Sequence, residues 1–232
     1  MDGFTRYAIY FAPSGGLAKL GASWFGWDPE GARLDPLAGD VAWPDLPIDR
    51  RNLTATPSRY GLHGTLKPPF RLAEGREVAG LHNALSALAP RLSRLRLDGL
   101  RLKAVGSFLA LVPEGDTTAL GTLAGTLVEA LDGHRAPPLT EELARRRASG
   151  LSARQEAMLL KWGYPYVMGE FRFHITLTGK IPDQRTRDVV AMRLAPLFEA
   201  EIETPFRIDD ICLFGEGQDG RFRNLHRYPL TG

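Results

Sequence analysis

The sequence predicts an α+β fold built as two similar halves, and three observations carry that prediction. The stretch Phe171-Arg172-Phe173-His174-Ile175-Thr176-Leu177-Thr178 alternates with a period of two, putting aromatic and aliphatic side chains on one face and Arg172, His174, Thr176 and Thr178 on the other. Tyr60-Gly61-Leu62-His63-Gly64-Thr65-Leu66-Lys67 repeats the pattern, with Leu62 and Leu66 opposite His63, Thr65 and Lys67. The two His-x-Thr pairs stand 111 residues apart, near the same place in each half, which suggests two lobes facing each other.

The elements follow in order. Tyr7–Ala12 reads as a strand apolar on both faces and so central, stopped by Pro13-Ser14-Gly15-Gly16; Leu17–Phe25 is a short helix. Trp27–Pro57 is rich in Pro, Asp and Gly without a sustained period and reads as a long loop. The first His-x-Thr strand closes at Pro68-Pro69. Val78, Leu81, Leu85, Leu88, Leu92 and Leu95 recur at helical spacing and predict a helix over 77–95, with His82 just outside the stripe and exposed. A hairpin over 100–112 turns at Gly106-Ser107, and Thr117–Leu131 is a second helix, followed by His134 in a turn.

Residues 137–166 differ in character and read as a helical insertion. Thr140 with Glu141 and Glu142 marks a helix start, the hydroxyl as cap and the carboxylates at the positive end of the dipole; Arg145, Arg146 and Arg147 follow, and Ser152-x-x-Gln155 fits a capping box for a helix that runs to Trp162. The arginine run reads either as a solvated face or as a lid that meets an anionic substrate. A third long helix covers 183–200, and the strands 206–214 and 222–230 close the chain, with His226 on the surface of the last.

Composition limits the function. The charged fraction is 24% and the net charge +2, so no global field draws in nucleic acid or an anionic membrane, and any anion site is local. Cys212 is the one cysteine, which excludes an internal disulfide, fits a reducing compartment and, in an apolar run, reads as a buried small hydrophobe. No apolar run nears the roughly 18 residues of a membrane helix. The first residues lack the order of a signal peptide, so the expectation is a soluble, cytoplasmic protein.

Some motifs are decoys. Gly215-Glu216-Gly217-Gln218-Asp219-Gly220 matches G-x-G-x-x-G, but strand-like residues follow where a dinucleotide site needs a helix, so it reads as a hairpin turn. No G-x-S-x-G elbow occurs, and neither His-x-Thr has the spacing that supplies two metal ligands from one element. No metal or cofactor is expected.

The paired His-x-Thr faces suit phosphodiester cleavage. One imidazole takes a proton from water while the other gives one to the leaving oxygen on the opposite side of phosphorus. Thr65 and Thr176 share those faces and suit a non-bridging phosphate oxygen; Lys67 and Arg172 suit anionic groups. Tyr10 and Trp162 are candidate ring-stacking groups, with core packing as the competing role. Sequence does not fix which of His63 and His174 is the base. The alternative reading is a module that binds a nucleotide or RNA end without turnover.

His63-Gly64-Thr65-Leu66 and His174-Ile175-Thr176-Leu177 resemble the paired motifs of the 2H phosphoesterase superfamily, which includes 2′–5′ RNA ligase-like proteins and cyclic nucleotide phosphodiesterases. The longer strings 59–70 and 171–179 resemble one branch, the DUF1045 family of phosphonate-metabolism proteins. The resemblance implies a bilobal LigT-like fold over 1–232, two pseudo-symmetric lobes each with an antiparallel sheet and outer helices, and a cleft between the sheets. It implies metal-free hydrolysis of a cyclic or 2′,5′-type phosphodiester and a role in phosphonate metabolism; together with the strand faces, the expected site is catalytic His63 and His174 with substrate-binding Thr65, Thr176, Lys67, Arg172 and Tyr10. The long 27–57 loop and the 137–166 insertion, both departures from commoner members, favour a small-molecule substrate over long RNA. The expected state is a monomer.

Overall fold

A computed structural model describes residues 3–34 and 41–232. The strands are β1 (Arg6–Phe11), β2 (Trp27–Asp28), β3 (Arg33–Leu34), β4 (Gly64–Phe70), β5 (Leu95–Leu97), β6 (Gly99–Val105), β7 (Phe108–Glu114), β8 (Ile175–Thr176), β9 (Phe206–Ile208), β10 (Asp210–Glu216) and β11 (Phe222–Pro229). The helices are α1 (Gly15–Phe25), α2 (Arg50–Thr54), α3 (Val78–Leu88), α4 (Thr118–Ala130), α5 (Thr140–Arg147), α6 (Ala153–Trp162) and α7 (Gln184–Glu199).

The α+β class with antiparallel sheets holds. One half supplies the order β11-β10-β1-β4 and the other β8-β7-β6. The two sheets are joined rather than separate: β4 and β8 pair at Gly64↔Ile175, making one sheet of seven strands. The seam between the halves is therefore the place where the two His-x-Thr segments meet. A hydrogen at Gly64 makes this approach possible, because a Cβ there would lie 2.3 Å from the Phe173 ring.

One face of the sheet carries the main core, into which α1, α3, α4 and α7 send Leu20, Trp24, Leu81, Leu85, Leu123, Leu127, Leu194 and Phe198. Tyr7, Ile9 and Phe11 of β1 face that core. Ala8, Tyr10 and Ala12 face the other way and form a small second cluster with Cys212, Phe214 and Phe222, against which Tyr60 packs. Burial pushes the Cys212 thiol well up, as befits a packed hydrophobe.

Several elements depart from the sequence expectation. The 77–95 helix ends at Leu88, and a single 3-10 turn, Ala89–Arg91, follows it; Pro90 has no N–H to give to a further helical bond. The 27–57 loop contains the β2–β3 hairpin and α2, and its residues 35–40 lie outside the described residues. The turn of that hairpin is fastened to β11, where Glu30 accepts from Arg227 at 2.7 Å and from Asn224 at 2.8 Å. Residues 171–174 are extended but unpaired, so the second motif strand shortens to Ile175–Thr176. Strand 206–214 divides into β9, which pairs with β5, and β10.

In the insertion the Ser152–Gln155 capping box is present, with both bonds between 3.1 and 3.2 Å. Thr140 is not a cap but the first helical residue; the Glu142 carboxylate takes the Leu139 N–H instead, at 2.9 Å. The glycine-rich 215–220 string is a β10–β11 hairpin turn, closed by Gly217 N–H on the Arg221 carbonyl at 2.9 Å. No helix among the described residues is long and apolar enough to cross a membrane.

Candidate active site

The register at the seam sets the geometry. Gly64 pairs with Ile175; one residue either way, His63 stands opposite Thr176, and Thr65 opposite His174. Gly64 and Ile175 point to the core, so these four side chains share the other face as a two-by-two array. The two histidines occupy its diagonal, where residues stand about 7–8 Å apart and Cβ atoms somewhat less. A small group placed between them would meet an imidazole on each side. His174 is close enough for its charge to disfavour a charge on His63.

Both imidazoles are anchored in the same manner. His63 Nδ1 lies 2.9 Å from the Gly61 carbonyl, and His174 Nδ1 lies 2.9 Å from the Arg172 carbonyl. A carbonyl oxygen only accepts, so each Nδ1 carries the hydrogen and each Nε2 is left free to meet a ligand. Gly61 reaches this position with φ of 71°, in the left-handed region, and a Cβ there would also strike Pro29 at 2.6 Å.

The surroundings of the two differ. Tyr10 lies under His63 with ring centroids 4.1 Å apart, and Tyr60 flanks it at 5.4 Å while stacking on Phe222 at 4.8 Å. Burial pushes His63 down to about 4; the Gly61 bond opposes this, and the nearby His174 adds to it. His174 has Phe108 at 5.6 Å and opens onto a groove lined by Val105, Val112, Met168 and Phe171.

Thr65 and Thr176 are half-buried on the site face, with no hydrogen bond from the described residues engaging either hydroxyl. Arg172 is exposed at the rim of the groove, its guanidinium turned to the carbonyls of Phe171 (2.7 Å) and Gly169 (3.4 Å). Trp162 is half-buried at the end of α6 under the Lys161 ammonium, 4.6 Å from its ring.

Two residues that the sequence places in direct contact with substrate sit elsewhere. Tyr10 is 1% exposed and supports His63 from beneath. Lys67 is 2% exposed and faces the core: Nζ donates to the Val128 carbonyl at 3.0 Å and lies 3.8 Å from Asp132. The cause is a bulge. Tyr10 pairs with Thr65 but Ile9 pairs with Lys67, so β4 holds one extra residue there, and Lys67 turns to the face of Ile9. Burial pushes the amine down to about 8, with Asp132 opposing the shift and Arg135 adding to it.

Sequence reasoning passed over Tyr60, Tyr164 and Arg6. Tyr164 follows the insertion helices and lies close enough to Tyr10 and Tyr60 for their ionised forms to repel. Arg6 shares the Tyr10 face of β1 and pairs with Glu216 at 2.5 and 2.8 Å. Among the described residues no three His, Cys, Asp or Glu side chains gather as a metal-binding group.

Comparison with known proteins adds relatives. A family model described as "Protein of unknown function (DUF1045)" matches residues 65–223. The chain is 37% identical over 238 aligned positions to the ribose 1,5-bisphosphate phosphokinase PhnN of Janthinobacterium sp. (strain Marseille), covering 100% of this chain and 52% of that protein. It is 35% identical over 225 to the protein of the same name from Laribacter hongkongensis (strain HLHK9), covering 96% and 51%. The chain thus spans about half the length of the curated relatives it matches. Similar solved structures include E. coli LigT complexed with NADP+ (17% identity, 100% of both chains, TM-score 0.43). E. coli LigT complexed with 3′-AMP (16%, 98% and 99%, 0.44) and Kluyveromyces marxianus Usb1 (12%, 98% and 99%, 0.42) are others.

Proposed function

The chain belongs to the DUF1045 family, and we propose that it is a metal-independent phosphodiesterase acting on a small cyclic or 2′,5′-type phosphodiester. The observation that carries this is the diagonal pair of imidazoles across Gly64↔Ile175, each with Nδ1 bound to a carbonyl and Nε2 free.

Burial favours neutral His63, the form a general base needs, so His63 takes the base role and His174 the acid role. Water attacks phosphorus in line; its proton passes to His63 Nε2 as the new P–O bond forms. The ester P–O bond opposite breaks, and the leaving oxygen takes the proton from Nε2 of the His174 imidazolium. Proton exchange with solvent restores both rings. The Thr65 and Thr176 hydroxyls donate to the non-bridging oxygens, where charge accumulates.

The kinase relatives are proteins about twice as long as this chain. The 232 residues contain no Gly-x-x-x-x-Gly-Lys-Ser/Thr string to cradle a nucleoside triphosphate, so a kinase role is not proposed for this chain. A phosphorylated sugar or nucleotide as substrate, and a role in phosphonate metabolism, are supported by those relatives' ribose bisphosphate chemistry and by the family resemblance.

The test is hydrolysis of a panel of nucleoside 2′,3′-cyclic phosphates, 2′,5′-dinucleotides and sugar cyclic phosphates, with and without a strong chelator. Turnover that survives chelation and is lost on replacing either histidine supports the reading. Turnover restored only by added metal, or unchanged in both histidine variants, overturns it.

A further inference from the structure

Five arginines surround one small cavity outside the imidazole pair. Arg6 of β1, Arg71 just beyond β4, Arg135, and Arg145 and Arg146 of α5 line about 40 Å³ of space in which Glu142 is the one carboxylate. Three of the five are already neutralised: Arg6 by Glu216 at 2.5 Å, Arg71 by Glu142 at 3.4 Å and Arg135 by Asp132 at 2.7 Å. Arg145 and Arg146 pair with no acid among the described residues. Their neighbour Arg147 does, with Glu156 at 2.6 Å, so the arginine run divides into one acid-paired cation and two without an acid partner.

The Arg146 guanidinium lies 4.5 Å from the Tyr164 ring, which fixes its orientation before any ligand arrives. A water needs roughly 10–15 Å³ on this volume scale, so the cavity takes a group of about three such units: a phosphoryl or phosphonyl head rather than a nucleobase.

The cavity is linked to the imidazole pair along β1. Arg6 and Tyr10 lie on one face, four residues or about 14 Å of strand apart. Arg6 and Tyr164, both in the cavity lining, lie close enough to Tyr10 to act on its charge, and the Tyr10 and His63 ring centroids are 4.1 Å apart. We propose that the arginine cavity is a second anion subsite, binding a terminal phosphoryl or phosphonyl group of the molecule whose diester lies between His63 and His174. It rests on the phosphodiesterase reading and narrows the substrate class to small phosphodiesters that carry a second phosphorus group. Planar guanidinium forks match that group's oxygens, and the insertion helix α5 supplies the two that have no acid partner among the described residues.

Two measurements test it. The first is calorimetric titration of inorganic phosphate into the whole protein, the His63→Ala/His174→Ala variant and that variant with Arg145→Ala and Arg146→Ala added. The histidine variant is expected to keep a phosphate site that the same protein with the two arginines also replaced has lost by tenfold or more. The second is the ratio of kcat/KM for adenosine 2′,3′-cyclic phosphate with and without a 5′-phosphate. That ratio is expected to exceed ten and to fall toward one in Arg145→Ala/Arg146→Ala, with partial recovery in Arg145→Lys/Arg146→Lys. No phosphate binding by the histidine variant, or a ratio unaffected by the arginine replacements, overturns the subsite. Absence of turnover with both nucleotides and with the whole panel of cyclic phosphates and 2′,5′-dinucleotides overturns the phosphodiesterase reading instead, and the phosphate titration then still decides whether the cavity binds an anion.

Discussion

His63 and His174 are held by the same bond: each Nδ1 lies 2.9 Å from the carbonyl two residues upstream, Gly61 in one case and Arg172 in the other. One local device, repeated on two segments that pair at Gly64↔Ile175, gives two imidazoles with matching orientation and free Nε2 atoms.

Replacing either histidine by alanine is expected to lower kcat by about 10²- to 10⁴-fold, the usual worth of a positioned acid or base. The double replacement costs little more than the worse single one, because one proton transfer without the other leaves the step incomplete. Steady-state kinetics of the three variants on a hydrolysed cyclic phosphate checks this; additive losses would contradict a coupled pair.

The pH dependence carries the mark of burial. Folded His63 takes up a proton near pH 4 and an unfolded histidine near 6.5, so the unfolded chain binds more protons between these values. Stability therefore falls as pH drops from 6.5 toward 4, and His63→Asn flattens that slope. In kcat/KM the acid limb due to the base lies well below 6.5. Urea melts and rate profiles over pH 4 to 8 measure both; an acid limb near 6.5 assigned to His63 by its loss in the variant would count against the assignment.

Gly64→Ala is expected to cost about 1–3 kcal/mol, the range for overpacking, because its Cβ meets the buried Phe173 ring. The strain falls on the β4–β8 seam, so activity drops more than stability. Phe173→Leu in the same chain restores part of both. Denaturant midpoints and kcat for the single and paired variants decide; a neutral Gly64→Ala would mean the seam has room.

Lys67→Met is expected to leave kcat/KM within twofold, since the amine faces α4 and not the imidazoles. Folded Lys67 loses its proton near 8 and an unfolded lysine near 10.5, so wild-type stability rises with pH across that window as the neutral amine becomes the buried form. The methionine variant lacks that rise. A large kcat/KM loss with unchanged stability would return Lys67 to the binding face.

The sequence by itself determined the α+β class, the two His-x-Thr segments, the Ser152–Gln155 cap and the hairpin nature of 215–220. These are local matters: strand alternation, helical period and turn chemistry act over a few residues and leave a readable trace. The face of Lys67 was not legible, because a one-residue bulge reverses alternation and no residue type announces it. Nor was the role of Tyr10, whose burial depends on Phe214 and Phe222, some 200 residues away in sequence.

Only the tertiary structure decided that the two motif segments are paired neighbours, with His63 opposite Thr176 and Thr65 opposite His174. The same holds for the cavity that gathers Arg6, Arg71, Arg135, Arg145 and Arg146 from separate segments. Each side chain carries its chemistry in the sequence. The distances between them depend on sheet register and helix docking, which are set by burial of the whole core.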